Sequence, residues 1–323
     1  INGLKLELDL KKGALETDIK ALKKAARQTI GPELVKRIQQ IIDTGVVELK
    51  ENFKIYWNSS VIGQIIPGKD YLNPNIELIV DDILEQNQKK KLIIFLDKWL
   101  KNKVNTVLKS LIDLKDLKEK NTSIKALAYQ LYENNGVLKR EQVSDYLKDL
   151  QQNDRKILRE LGVKFGRYHV FLYRLIKPEA VFLRSLLWKN HNQKYFNLKP
   201  PTFGLNFLED KDTRNKNFML LCGFEKFENL YVRIDILERL FVQIINFSSE
   251  KEKEIKMIPE MLNLLGCSKE NFKKLIKNMG YIVTEKNEEV FFRYKPQKFK
   301  KKSFEKHNKK ESPFGILKKL NFN

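Results

Sequence analysis

Cysteine is scarce in this sequence: 323 residues contain only Cys222 and Cys267, far apart and outside any CxxC pair. A disulfide framework is thereby excluded, and so is a cysteine-based zinc set, which draws its ligands in closely spaced pairs. Both thiols read as small apolar core groups, and this usage fits a reducing, cytoplasmic setting. Histidine is as thin, with His169, His191 and His307 scattered and no metal-ligand cluster around them. No apolar run approaches the roughly 20 residues that span a bilayer, which excludes a transmembrane helix and predicts no membrane partner. Arginine is also sparse, supplying 12 of the 62 basic residues.

Charge of one sign is what the sequence has in excess. A formal net charge of +21 favours a polyanionic partner, because each phosphate neutralised releases condensed counterions. The excess is mostly lysine and is spread widely, so its position says more than its total. From Lys295 to Asn323 ten Lys face only Glu305 and Glu311, which is 10 − 2 = +8 over 29 residues. This stretch, densest at Lys300, Lys301 and Lys302, reads as a disordered basic arm with non-specific attraction for RNA. Pro313, Phe314, Ile316, Leu317 and Leu320 within it have the pattern of a short amphipathic docking helix.

The most unusual segment is Leu161 to Ala180, LGVKFGRYHVFLYRLIKPEA. Basic and aromatic side chains interleave here, and such a mixture stacks on bases while neutralising phosphates. Lys164, Arg167, Tyr168, His169 and Arg174 are the predicted nucleic-acid contacts. The same spacing also suits an ordinary core, with Phe165, Val170, Leu172 and Leu175 buried and the charges left in water.

These residues also carry a family resemblance. The segment is similar to one that lies downstream of the motor domains in alphaproteobacterial DExH/DEAD-type helicases related to the mitochondrial degradosome RNA helicase. Three more stretches resemble that family in the same order: RQTIGPELVKRI at Arg27 to Ile38, YVRIDILERL at Tyr231 to Leu240, and SPFGILKKL at Ser312 to Leu320. The resemblance implies the C-terminal region of an ATP-dependent helicase, with RNA and the helicase motor of the same polypeptide as partners. ATP and Mg would belong to the absent motor domains, and this chain alone is expected to hold no cofactor and hydrolyse no ATP. The opening Ile1 fits such a fragment. The alternatives from other classes are a self-contained nucleic-acid-binding or ribosome-associated adaptor and a protein-docking scaffold.

Along the chain the pattern predicts a mainly α, α+β fold. Residues 1–45 read as two short helices meeting at Gly31-Pro32. Residues 46–82 read as a small β-unit, with FKIYW and VIGQII joined at Asn58-Ser59-Ser60 and IELIV as a third strand. Residues 83–195 read as a helical domain with an extended stretch at Tyr168 to Tyr173, and 196–250 as a linker followed by a helix, entered through a short strand at Tyr231 to Ile234, in which Asp235 and Arg239 pair. Residues 251–295 read as a winged-helix-like module: helix, turn, a second helix capped by Ser268, then a hairpin. Lys269, Lys273, Lys274 and Lys277 on the second helix and Arg293 on the hairpin are its predicted nucleic-acid contacts. Residues 296–323 form the basic tail.

The β-unit contains a false phosphate loop. GQIIPGKD at Gly63 to Asp70 matches GxxxxGK, but it lacks the Ser or Thr that would ligand magnesium and the helix that would converge N–H groups on a phosphate. The acidic Asp81 or Asp82 that follows is predicted to cap the next helix rather than hold a metal. No catalytic residue is assigned.

Overall fold

The computed structural model describes residues 3–5, 16–115, 117, 122–210, 215–247 and 254–294. Lys300, Lys301, Lys302 and the SPFGILKKL stretch lie outside them. The fold is α+β, with small antiparallel sheets set among helices.

Helix α1 (Glu16–Thr44) runs through Gly31-Pro32 without a break, where a corner between two helices was expected. Proline removes its own N–H from the ladder and its ring crowds the carbonyl four residues back, a cost of about 3 kcal/mol. Burial of Leu34, Ile38 and Ile41 in the following turns offsets that cost.

Strands β1 (Glu48–Leu49), β2 (Lys54–Trp57), β3 (Ser60–Asp70) and β4 (Asn73–Leu78) form a meander in chain order. The β2–β3 hairpin turns on Asn58 and Ser59, with φ of 44° and 67°, the left-handed pair that matches strand twist. GQIIPGKD lies within β3, so its backbone is committed to strand pairing and cannot cradle a phosphate. Asp70 instead closes the β3–β4 turn, accepting hydrogen bonds from the N–H groups of Leu72 and Asn73 at 2.9 and 3.0 Å.

Helix α2 (Gln86–Val107) buries Leu92, Leu96, Leu100 and Val104 against this layer. Its N-cap is Glu85, not Asp81 or Asp82 as expected; Asp81 accepts from Ile83 N–H in the preceding turn. A short helix α3 (Lys109–Lys115) follows.

The remaining chain repeats one connectivity three times. In the first unit α4 (Thr122–Glu133) leads to β5 (Val137–Lys139), α5 (Ser144–Asp149), α6 (Gln152–Glu160) and the hairpin β6 (Val163–Phe165) and β7 (His169–Leu172). Its antiparallel sheet has the order β5-β7-β6. The second unit has one helix fewer: α7 (Pro178–His191), β8 (Phe207–Glu209), α8 (Lys216–Leu221), β9 (Phe224–Phe227) and β10 (Leu230–Arg233), in sheet order β8-β10-β9. The third restores it, with α9 (Ile234–Phe247), β11 (Ile255–Lys256), α10 (Pro259–Leu265), α11 (Lys269–Asn278), β12 (Tyr281–Lys286) and β13 (Glu289–Tyr294), in sheet order β11-β13-β12. Each hairpin feeds the next unit's first helix: β7 enters α7 through a 3₁₀ turn at Tyr173–Ile176, and β10 passes directly into α9.

Two regions differ from the sequence reading. The stretch expected to be helical, 83–195, contains a three-stranded sheet, and the expected linker after 196 contributes β8, α8 and β9 to the second unit. The last unit is as read from α10 onward, including the Ser268 cap, whose hydroxyl accepts from Asn271 N–H. It gains α9 and β11 in front.

Helix α7 is the axle of the molecule. Leu183, Leu186 and Leu187 join the core shared by α1, the meander and the first unit, while Val181 packs with Phe218 and Tyr231 of the second. Apolar residues therefore surround the helix rather than lining one stripe, the pattern of a helix buried on all sides. Arg184 lies within it, fully buried. Its guanidinium donates to the carbonyls of Asn135, Leu175 and Leu221, which end α4, the 3₁₀ turn and α8. Carbonyls at helix ends carry partial negative charge and lack partners of their own, so one planar cation satisfies three of them.

Candidate nucleic-acid interface

The segment Leu161 to Ala180 supplies β6, β7, the 3₁₀ turn and the start of α7. Its side chains separate into two groups. Lys164, Tyr173, Arg174 and Lys177 are exposed, and the Lys164 Nζ lies 5.9 Å from the centre of the Tyr173 ring. Val170, Phe171, Leu172 and Leu175 are buried, so the strand itself is core.

On the other side of edge strand β6, α6 adds residues that the sequence reading passed over. The guanidinium carbons of Arg155 and Arg159 lie 5.6 and 5.7 Å from the Phe165 ring centre, so the two arginines bracket one aromatic ring. Lys156 and Arg159 are exposed on the same helix. Asp154 is turned inward, accepting from Gln151 N–H at 3.0 Å, so it subtracts little from this surface. Edge strand β6 is thus flanked by cations and aromatic rings on both sides. The signal in the sequence was the R-K-x-x-R spacing of α6, which becomes meaningful only once Phe165 is placed beside it.

Arg167, Tyr168 and His169 do not belong to this surface. The Glu238 carboxylate of α9 accepts from the backbone N–H groups of Arg167, Tyr168 and His169 at 2.5, 2.9 and 2.9 Å. Three successive N–H groups converging on one anion form a backbone nest. A Cβ at Gly166 would displace the Glu238 carboxylate from this nest. The Arg167 guanidinium lies over Phe241, and the Tyr168 ring meets Phe241 edge-on at 5.6 Å. Both residues therefore dock the first unit onto α9 of the third.

His169 is 2% exposed and cannot stack on a base. Its Nε2 lies 2.9 Å from Glu225 of β9, whose other oxygen takes the Lys139 Nζ of β5 at 2.8 Å. Its Nδ1 lies 3.6 Å from Glu238. Burial works to lower the His169 pKa, but the Glu225 hydrogen bond and both carboxylate charges outweigh it and leave the imidazole above its ordinary 6.5. Burial likewise works to raise Glu225, yet His169 and Lys139 hold it below the ordinary carboxylate value. The expected Asp235–Arg239 pair is absent, because Asp235 faces Arg233 instead, at 2.6 and 3.0 Å.

In the third unit carboxylates of α11 and of the β12–β13 hairpin neutralise part of the predicted surface. Lys273 is paired with Glu270 and Glu285 at 2.7 and 2.8 Å, and the Lys269 Nζ donates to the Glu288 carbonyl at 2.6 Å. Asn271 is tied to Glu209 of the second unit. Arg293 is exposed; the Lys286 hydrogen bond, with a smaller contribution from the Arg293 charge, holds Glu254 below the ordinary carboxylate value. Lys274 and Lys277 are exposed.

Among the described residues no group of three or more His, Cys, Asp or Glu side chains is placed to hold a metal ion. No described helix is long and apolar enough to cross a membrane. Cys222 is buried and its thiol is pushed up to about 12, and burial pushes Cys267 up to about 11, so both are poor nucleophiles at neutral pH. Comparison with protein-family models, with curated proteins and with solved structures found no match to this chain.

Proposed function

We propose that this chain is the accessory, nucleic-acid-binding region of an ATP-dependent RNA helicase, with its three repeated units acting as winged-helix modules. The observation that carries the binding reading is the surface around β6. Arg155, Arg159 and Lys164 present cations beside Phe165 and Tyr173, with Lys156 exposed on α6 and Arg174 on the 3₁₀ turn, the combination that holds single-stranded nucleic acid by phosphate neutralisation and base stacking. In a winged helix these positions correspond to the second helix of the helix-turn-helix and the adjoining hairpin, the parts that face nucleic acid.

The helicase context rests on the four motif resemblances, and the contacts between two of them support it. Glu238 of YVRIDILERL enters the nest formed by Arg167, Tyr168 and His169 of LGVKFGRYHVFLYRLIKPEA, so separate stretches of sequence form one joint. The motor partner, the preference for RNA and a cytoplasmic location belong to this proposal. A second reading, a protein-docking scaffold, is favoured by Val242, Ile245 and Phe247, large apolar side chains exposed on α9.

Fluorescence anisotropy of a labelled single-stranded RNA separates the two. Replacing Lys156, Arg159, Lys164 and Arg174 together by Ala is expected to weaken binding by about tenfold or more, since each removes a cation that neutralises a phosphate. Replacing Lys273, already engaged by Glu270 and Glu285, should change it less than about twofold, given the small net reach of a cation paired with carboxylates. No salt-sensitive RNA binding by the unsubstituted chain would favour the scaffold. Turnover of ATP by this chain would contradict its assignment as an accessory region.

A further inference from the structure

The meeting point of the three units is a buried charge balance that depends on one proton. His169 comes from β7 of the first unit, Glu225 from β9 of the second and Glu238 from α9 of the third, with Lys139 of β5 alongside. With a neutral imidazole, two carboxylates share one buried-side cation, Lys139. With a protonated imidazole the four groups sum to zero. The ring nitrogens give the same answer independently, because Nε2 and Nδ1 each face a carboxylate oxygen, at 2.9 and 3.6 Å. A neutral ring has only one N–H, so one nitrogen must turn a lone pair toward an anion. Nδ1 is buried and has no other hydrogen-bond partner.

We infer that His169 and Glu238 form a pH-sensitive latch that fastens the wing turn of the first unit to α9 of the third and loosens when His169 loses its proton. The other polar groups around it do not substitute for that proton. Arg140 donates to the Gly166 carbonyl at 2.8 Å and Arg167 is exposed over Phe241, so both cations sit at the rim, partly in solvent. Burial raises the phenols of Tyr168 and Tyr281, which therefore stay neutral throughout the range. The sign is fixed by linkage: a histidine raised above 6.5 contributes its full stabilisation below 6.5 and loses it as pH rises through the folded-state value.

The test uses the whole chain. Nitrogen-15 chemical shifts of the imidazole give the His169 pKa, and amide exchange, corrected for intrinsic rates, gives protection at residues 167, 168 and 169. The latch requires a pKa above 6.5 that falls in Glu225→Gln. It also requires at least tenfold loss of protection at the three amides at pH 9 relative to pH 6, and in Glu238→Ala at pH 6, while the Ile65 amide in β3 stays protected. If Glu238→Ala unfolds the chain, the pH series on the unsubstituted protein decides. A pKa at or below 6.5, or amides equally protected at pH 6 and pH 9, overturns the proposal.

Discussion

Arg184 shows how little a residue's surroundings can be inferred from its type. Arginine is by default a surface residue, yet Arg184 is fully buried with its guanidinium spread over three backbone carbonyls. Replacing it with Leu should cost about 3 kcal/mol, because three buried carbonyls lose a charged donor at once. Arg184→Lys should recover little of this, since an ammonium cannot reproduce the planar fork. Urea unfolding checks both: the midpoint should fall in each variant, with the slope unchanged. His169 teaches the same lesson in reverse. Its aromatic and basic neighbours pointed to base stacking, whereas its partners Glu225 and Glu238 lie 56 and 69 residues further along the chain, beyond the reach of any local pattern.

At the scale of elements, legibility followed length and period. The strands of the meander were readable because β2 and β3 alternate over several residues and meet at a recognisable turn. In the repeated units β7, β10, β12 and β13 fall on stretches read as extended, whereas β5, β6, β8, β9 and β11 were missed: they have two to four residues, too few to establish a period of two. Helix α1 was misread because Gly-Pro is a strong breaker locally, while the burial that overrides it comes from the rest of the fold. The β3–β4 turn offers a sharp test of the observed pairing. A Cβ on Gly68 would collide with the Asn73 carbonyl oxygen, which is backbone and cannot swing aside. Gly68→Ala should therefore destabilise by about 3 kcal/mol or more, in the range of strain at a constrained backbone site. A thermal midpoint unchanged within a degree would show that the two strands do not approach this closely.

For the whole molecule, tandem units with one connectivity explain why the strongest motif marks a joint as well as a surface. The stretch from Leu161 to Ala180 holds the first unit's hairpin, the turn into the axle helix and the nest for Glu238, and its exposed cations flank β6 beside those of α6. Charge alone could not place this surface, because the net +21 is spread over the chain and partly cancelled in the third unit by Glu270 and Glu285, which pair with Lys273. If the β6 surface neutralises phosphates, the salt dependence of single-stranded RNA binding measures it directly, since log affinity falls against log salt with a slope of about −0.7 per phosphate neutralised. Replacing Lys156, Arg159, Lys164 and Arg174 by Ala should make that slope shallower by about 3, the amount expected when about four phosphates are no longer neutralised. An unchanged slope in the folded variant would place the RNA elsewhere and contradict the assignment of this surface.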